Sequence, residues 1–150
     1  MLIFEYRVTS FLSSNADSYV RINSDLEDNV VACFNGKIHH YSLAKEEIAK
    51  VAKIIESYPE LFNVKELEPN NTPGDMRYDF TFSTIAKTCS FSGFNILNYG
   101  RLPRKNATLA LRVARDIKDH VLDLNGIHTA IPNRLQHWPK HTIRSGEIHI

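Results

Sequence analysis

The chain has 150 residues, 43% apolar and 23% charged, proportions of an ordinary globular domain rather than of a disordered chain. No apolar run approaches the roughly 20 residues a membrane-crossing helix needs. Met1-Leu2-Ile3-Phe4-Glu5-Tyr6 lacks the basic stretch of a secretory signal, so a cytoplasmic protein with no membrane partner is expected. The net charge of +1 hides a polarity. Residues 1–100 hold 9 Lys and Arg against 13 Asp and Glu, and residues 101–150 hold 9 against 4, a pattern suited to an anionic partner or a second copy.

In chain order, Leu2 to Leu12 is rich in aromatic and β-branched residues and reads as a strand. Ser13-Ser14-Asn15-Ala16-Asp17 is turn chemistry, and Ser18 to Ile22 alternates as a second strand. Val30-Val31-Ala32-Cys33-Phe34 and Lys37-Ile38-His39-His40-Tyr41 flank Asn35-Gly36, a strong hairpin signal because both turn residues tolerate positive φ. Ser42 is the expected cap of a helix from Leu43 to Ser57, with Glu46 and Glu47 at its positive dipole end and Pro59 beyond it. Leu61-Phe62 is expected to tuck beneath this helix. Glu68 to Asp75 is a loop dense in breakers.

Tyr78 to Ser83 alternates strictly, with Tyr78, Phe80 and Phe82 on one face. Thr88 to Leu97 returns with Cys89, Phe91 and Gly93 on one face, and Gly93 suggests a bulge or close approach. Asn106 caps a last helix to about Leu124, with Leu109, Ala110, Val113, Ile117, Val121 and Leu124 as its buried stripe. The two cysteines, Cys33 and Cys89, are expected to be reduced and buried, with no CxxC spacing for redox work.

Strands followed by helices in this order predict an α+β fold: a mainly antiparallel sheet of five or six strands with two helices on one face. Residues 1–124 form the domain, and 125–150 an irregular C-terminal tail docked on its own domain or on a neighbouring chain. That tail holds four of the seven histidines, the single tryptophan and two prolines, and structureless stretches of such length are usually functional or disordered.

Several chemistries compete. His137 and His141, at i and i+4, are weak metal candidates, since Pro139 opposes a regular helix and no glutamate follows His137 to act as base. His39 and His40 are strand neighbours on opposite faces and do not chelate together. A GxSxG elbow, a Walker loop and a dinucleotide fingerprint are all missing, so no catalytic residue and no cofactor are assigned. Tyr99, Arg101, Arg104, Lys105, Arg112 and Arg115 place cations around the start of the last helix, where free N–H groups already favour an anion. Nucleic acid is the alternative ligand there, with Tyr99 or Trp138 to stack on a base, although pairing of those cations with Asp116 and Asp119 would silence the patch.

Protein recognition is the favoured class. Arg134, Trp138, Lys140 and Ile148 are the interface candidates: Trp138 as an aromatic anchor, and Glu147-Ile148-His149-Ile150 as a strand added to a sheet edge. A protein partner or a homodimer is therefore expected.

From Val30 to Leu122 the order of features resembles emfourin-type small protein inhibitors of metalloproteases. The shared features are a strand, a helix opening on Ser42-Leu43-Ala44-Lys45-Glu46-Glu47, Leu61-Phe62, a Gly74-Asp75 loop, the strand Tyr78-Asp79-Phe80-Thr81-Phe82, another strand and a helix after Pro103. The resemblance implies a non-catalytic, protein-binding role, and it carries over no functional residue.

Overall fold

The computed structural model describes residues 1–10, 17–25, 27–65, 76–94 and 105–133. Six strands form one antiparallel sheet: β1 (Leu2–Ser10), β2 (Asp17–Asn23), β3 (Val30–Phe34), β4 (Lys37–Tyr41), β5 (Met76–Ser83) and β6 (Thr88–Phe94), in the spatial order β4-β3-β2-β1-β5-β6. Two helices, α1 (Lys45–Glu56) and α2 (Lys105–Ile117), share one hydrophobic core with a single face of that sheet. The α+β class, the antiparallel sheet and the two helices are as the sequence predicts. The turn at Ser13 to Ala16, the loop from Glu68 to Asp75 and the end of the β6 run lie outside the described residues.

Registers explain which face is buried. Tyr6 stands opposite Val20 on one side and Phe80 on the other; Val20 opposes Ala32, Ala32 opposes His39, and Phe80 opposes Phe91. Side chains opposite one another point to one face, so His39-Ala32-Val20-Tyr6-Phe80-Phe91 is a continuous row across all six strands. Every member but His39 is buried. A register shift between Leu2 and Phe4 lets Ile3 and Phe4 both enter the core, as a bulge does. Gly93 pairs with Tyr78 in an unbroken ladder, so the expected bulge is not there.

The opposite face is polar. Arg21 Nη2 donates to Glu5 Oε2 at 3.2 Å, and the guanidinium carbons of Arg7 and Arg21 lie 4.6 and 5.2 Å from the centre of the Tyr19 ring. Thr81 and Ser90 hydroxyls meet at 2.9 Å, and Asp79 takes bonds from Arg77 and Ser92. It is not the apolar surface that would need a cover.

Helix ends correct two expectations. Ser42 does not cap α1: its hydroxyl donates to Glu27 O at 2.9 Å, and the extended residue Ala44 precedes the helix with no side-chain cap. Asn29 takes over nearby, its amide bonding both Leu43 N–H (2.7 Å) and Leu43 C=O (3.0 Å). Likewise α2 opens at Lys105, which puts Asn106 inside the first turn rather than at the cap. After α1, the 3-10 turn Pro59–Asn63 buries Leu61 as expected.

At its C-terminal end α2 passes into a π turn, Lys118–Leu122, then a 3-10 turn, Asp123–Asn125, and stops at Gly126 with φ 72°, the left-handed conformation glycine adopts cheaply. A π turn holds one extra residue. Val121 and Leu122 therefore fill the inner stripe, and Leu124, expected inside, is 71% exposed. Beyond Gly126 the chain crosses the inner face of the sheet, burying Ile127 and Ile131, and Ala130 C=O accepts from the Tyr6 hydroxyl.

Candidate functional site

Most residues singled out from sequence lie outside the described part: Tyr99, Arg101, Arg104, Arg134, His137, Trp138, Lys140, His141 and Ile148. Lys105 is exposed at the start of α2, with half-buried Arg112 and Arg115 two and three turns on. Asp116 accepts the Tyr58 hydroxyl across the α1–α2 seam, and its pairing with Arg101 or Arg104 lies outside the described residues. Asp119 lies 3.9 Å from Lys118. Among the described residues no group of three or more His, Cys, Asp or Glu is placed to hold a metal ion.

The described surface has a different focus, at the end of the sheet where cover runs out. Asn35 and Gly36 have φ of 54° and 76°, the type I′ turn expected of Asn-Gly. In a two-residue hairpin the residues flanking the turn exchange hydrogen bonds, and the pattern then alternates. Lys37, His39 and Tyr41 therefore direct their backbone groups at β3, while Ile38 and His40 direct theirs away. Among the described residues no strand lies beyond β4, and none pairs with these outward groups. Ile38, on the outer face, is 57% exposed.

Behind this edge, on the inner face, is a cleft of about 310 Å³. Among the described residues Ala32, Phe34 and Tyr41 supply apolar walls, Asn35 an amide, and Lys37, His39 and His128 nitrogen groups, with no carboxylate among them. His128 comes from the segment after Gly126, so the end of α2 and the β3–β4 hairpin build the cleft together. A volume of this size is at the lower limit of small-ligand pockets and ample for one side chain. A second cleft, between Pro59, Phe62 and the β5–β6 turn, mixes Glu56 with Lys87 beside β6, the other edge strand of the sheet.

Cys33 and Cys89 form no disulfide with each other, lying four strands apart in the sheet, and burial pushes the Cys89 thiol up to about 11, away from the reactive thiolate. Among the described residues no helix is long and apolar enough to cross a membrane.

Two features escape a reading of the sequence. One is Lys118, 9% exposed, whose ammonium donates to Asp123 Oδ2 and Asn133 Oδ1, each at 2.7 Å. The signal for it is Leu122, four residues on and so on the same helical stripe. The other is the place of β4 at the edge of the sheet, which the hairpin signal alone does not give. A comparison with protein-family models found no match for the chain, and one with curated proteins found none either.

Proposed function

We propose that this protein is a non-catalytic binding domain whose open strand β4 takes up an extended, acidic segment of a partner protein. The observation that carries the reading is the pairing of outward-facing Ile38 and His40 backbone groups with a cleft lined by Lys37, His39 and His128 and, among the described residues, by no carboxylate. Strand addition draws affinity from main-chain hydrogen bonds and specificity from pockets for alternate side chains, and β4 offers both. Charge complementarity selects an acidic occupant. A second copy pairing through its own β4, Lys-Ile-His-His-Tyr, would bring another lysine and no carboxylate to the edge. The resemblance to emfourin-type inhibitors implies the same broad role, recognition of another protein.

The test is titration of the full chain with a labelled, capped hexapeptide alternating Val and Glu, followed by fluorescence anisotropy. Binding is expected, with a loss of about tenfold or more on His40→Pro, which deletes an outward N–H and leaves the ladder to β3 intact. A Val-Lys hexapeptide should not bind. Failure of the acidic peptide, or binding indifferent to His40→Pro, overturns the reading. A dimer in light scattering that His40→Pro dissociates would assign the edge to a second copy and overturn it equally.

A further inference from the structure

The row of residues that crosses the sheet fixes where a bound strand would place its side chains. His39 ends that row as its one uncovered member. A strand paired with β4 extends the row by one more residue, the one opposite His39, with its Cβ about 5 Å from that of His39. Its neighbours on the same face fall opposite Lys37 and Tyr41, and the intervening residues point to the outer face. Only the central residue is flanked on both sides along β4 by the cleft's own lining, with His128 facing from across it.

The lining sets the chemistry of that residue. Phe34 and Tyr41 offer apolar contact for a methylene stem, while Lys37, His39 and His128 offer N–H donors for its end. Lys37 and His128 are exposed and line the cleft from separate segments, so neither has to leave a buried site to meet an acceptor there. A neutral amide of the same shape would meet donors with its own NH₂ group, and a cation would meet Lys37.

We infer that the cleft is a specificity pocket for one glutamate of the bound strand, at the position opposite His39, and that Lys37 and His128 hold its carboxylate. This rests on the strand-addition reading of β4. It goes beyond it by reducing a general preference for acidic segments to one position and one side chain.

The experiment compares three capped peptides of alternating Thr and Val that differ only at a single central residue, Glu, Gln or Lys, against the full chain. Charge-assisted hydrogen bonds are worth about twice neutral ones, so the Glu peptide should bind about tenfold tighter than the Gln peptide, and the Lys peptide more weakly than either. In the double variant Lys37→Met with His128→Ala the Glu peptide should lose its advantage over the Gln peptide. Because that variant alters the site, the wild-type imidazole resonances supply a second measurement: at saturation those of His39 and His128 should shift further with the Glu peptide than with the Gln peptide. Equal binding of Glu and Gln peptides overturns the pocket assignment and leaves strand addition standing. Binding by none of the three overturns both. A Glu preference that survives the double variant places the carboxylate elsewhere and overturns the assignment.

Discussion

Lys118 Nζ lies 2.7 Å from Asn133 Oδ1 and 2.7 Å from Asp123 Oδ2, so one nearly buried ammonium ties the end of α2 to the segment that crosses the sheet. Fifteen residues separate Lys118 from Asn133, and Ile127, Thr129 and Ile131 are buried between them. Lys118→Met keeps much of the stem's packing but removes all three N–H donors. It should cost about 1–3 kcal/mol, the range for hydrogen bonds to charged groups, lowered by the exposure of Asp123. Urea unfolding gives the total, and amide exchange at 127–131 should accelerate more than in β1.

The π turn makes Leu122 and Leu124 a diagnostic pair. Leu122→Ala should cost about 2–5 kcal/mol, as for other buried leucines, and Leu124→Ala should stay within about 0.5 kcal/mol, as for surface positions. A regular α-helix continued through Ile117 would bury Leu124 and reverse the order. Thermal or chemical unfolding of the two variants side by side decides it.

Asn29 mimics a strand partner for a residue that has none: its amide satisfies both backbone groups of buried Leu43 just ahead of α1. Asn29→Ala strands an N–H and a C=O in the interior, at a cost of about 2 kcal/mol or more. The equilibrium unfolding midpoint should fall, with no change in denaturant slope if the fold is retained.

High pH should destabilise the protein through its tyrosines. Burial, then the hydrogen bond to Asp116, pushes Tyr58 up to about 12; burial alone does the same for Tyr78, and Tyr6 is raised well above its ordinary value. In the unfolded chain these phenols ionise near pH 10. The unfolded state therefore loses protons that the folded state keeps, and stability falls as pH rises. The contribution is fully present below about pH 10 and is lost between about 10 and 12. An alkaline titration should show tyrosinate absorbance from these three rings rising together with loss of the far-ultraviolet circular dichroism. Ionisation of Tyr6 ahead of unfolding would contradict its burial.

The elements of this fold are legible because their signals are local. Asn35-Gly36 dictates the turn between β3 and β4, and Tyr78, Phe80 and Phe82 announce a strand with one buried face. Strand order is less so: β1 lies between β2 and β5 because its Phe4 and Tyr6 oppose Ile22 and Val20 on one side and Phe82 and Phe80 on the other, a match visible only once registers are known. Ser42 fails as a cap for a similar reason, since Glu27 and Asp28, distant in sequence, compete for its hydroxyl. The β4 edge has a sequence signature, Lys-Ile-His-His-Tyr, but its meaning depends on β4 ending the sheet. Of the candidate anion site only Lys105, Arg112 and Arg115 fall among the described residues.

Cohesion is distributed unevenly across the sheet. Ring contacts between 5.4 and 6.1 Å link Phe4, Tyr6, Phe80, Phe82 and Phe91 across β1, β5 and β6, whereas β3 offers the core only Val30 and Ala32. The aromatic half can hold the domain together while the β3–β4 hairpin changes. Substitutions at Lys37, Ile38, His39 or His40 would redraw the outer strand with little consequence for the rest, giving descendants of this chain room to trade one partner for another without refounding the fold.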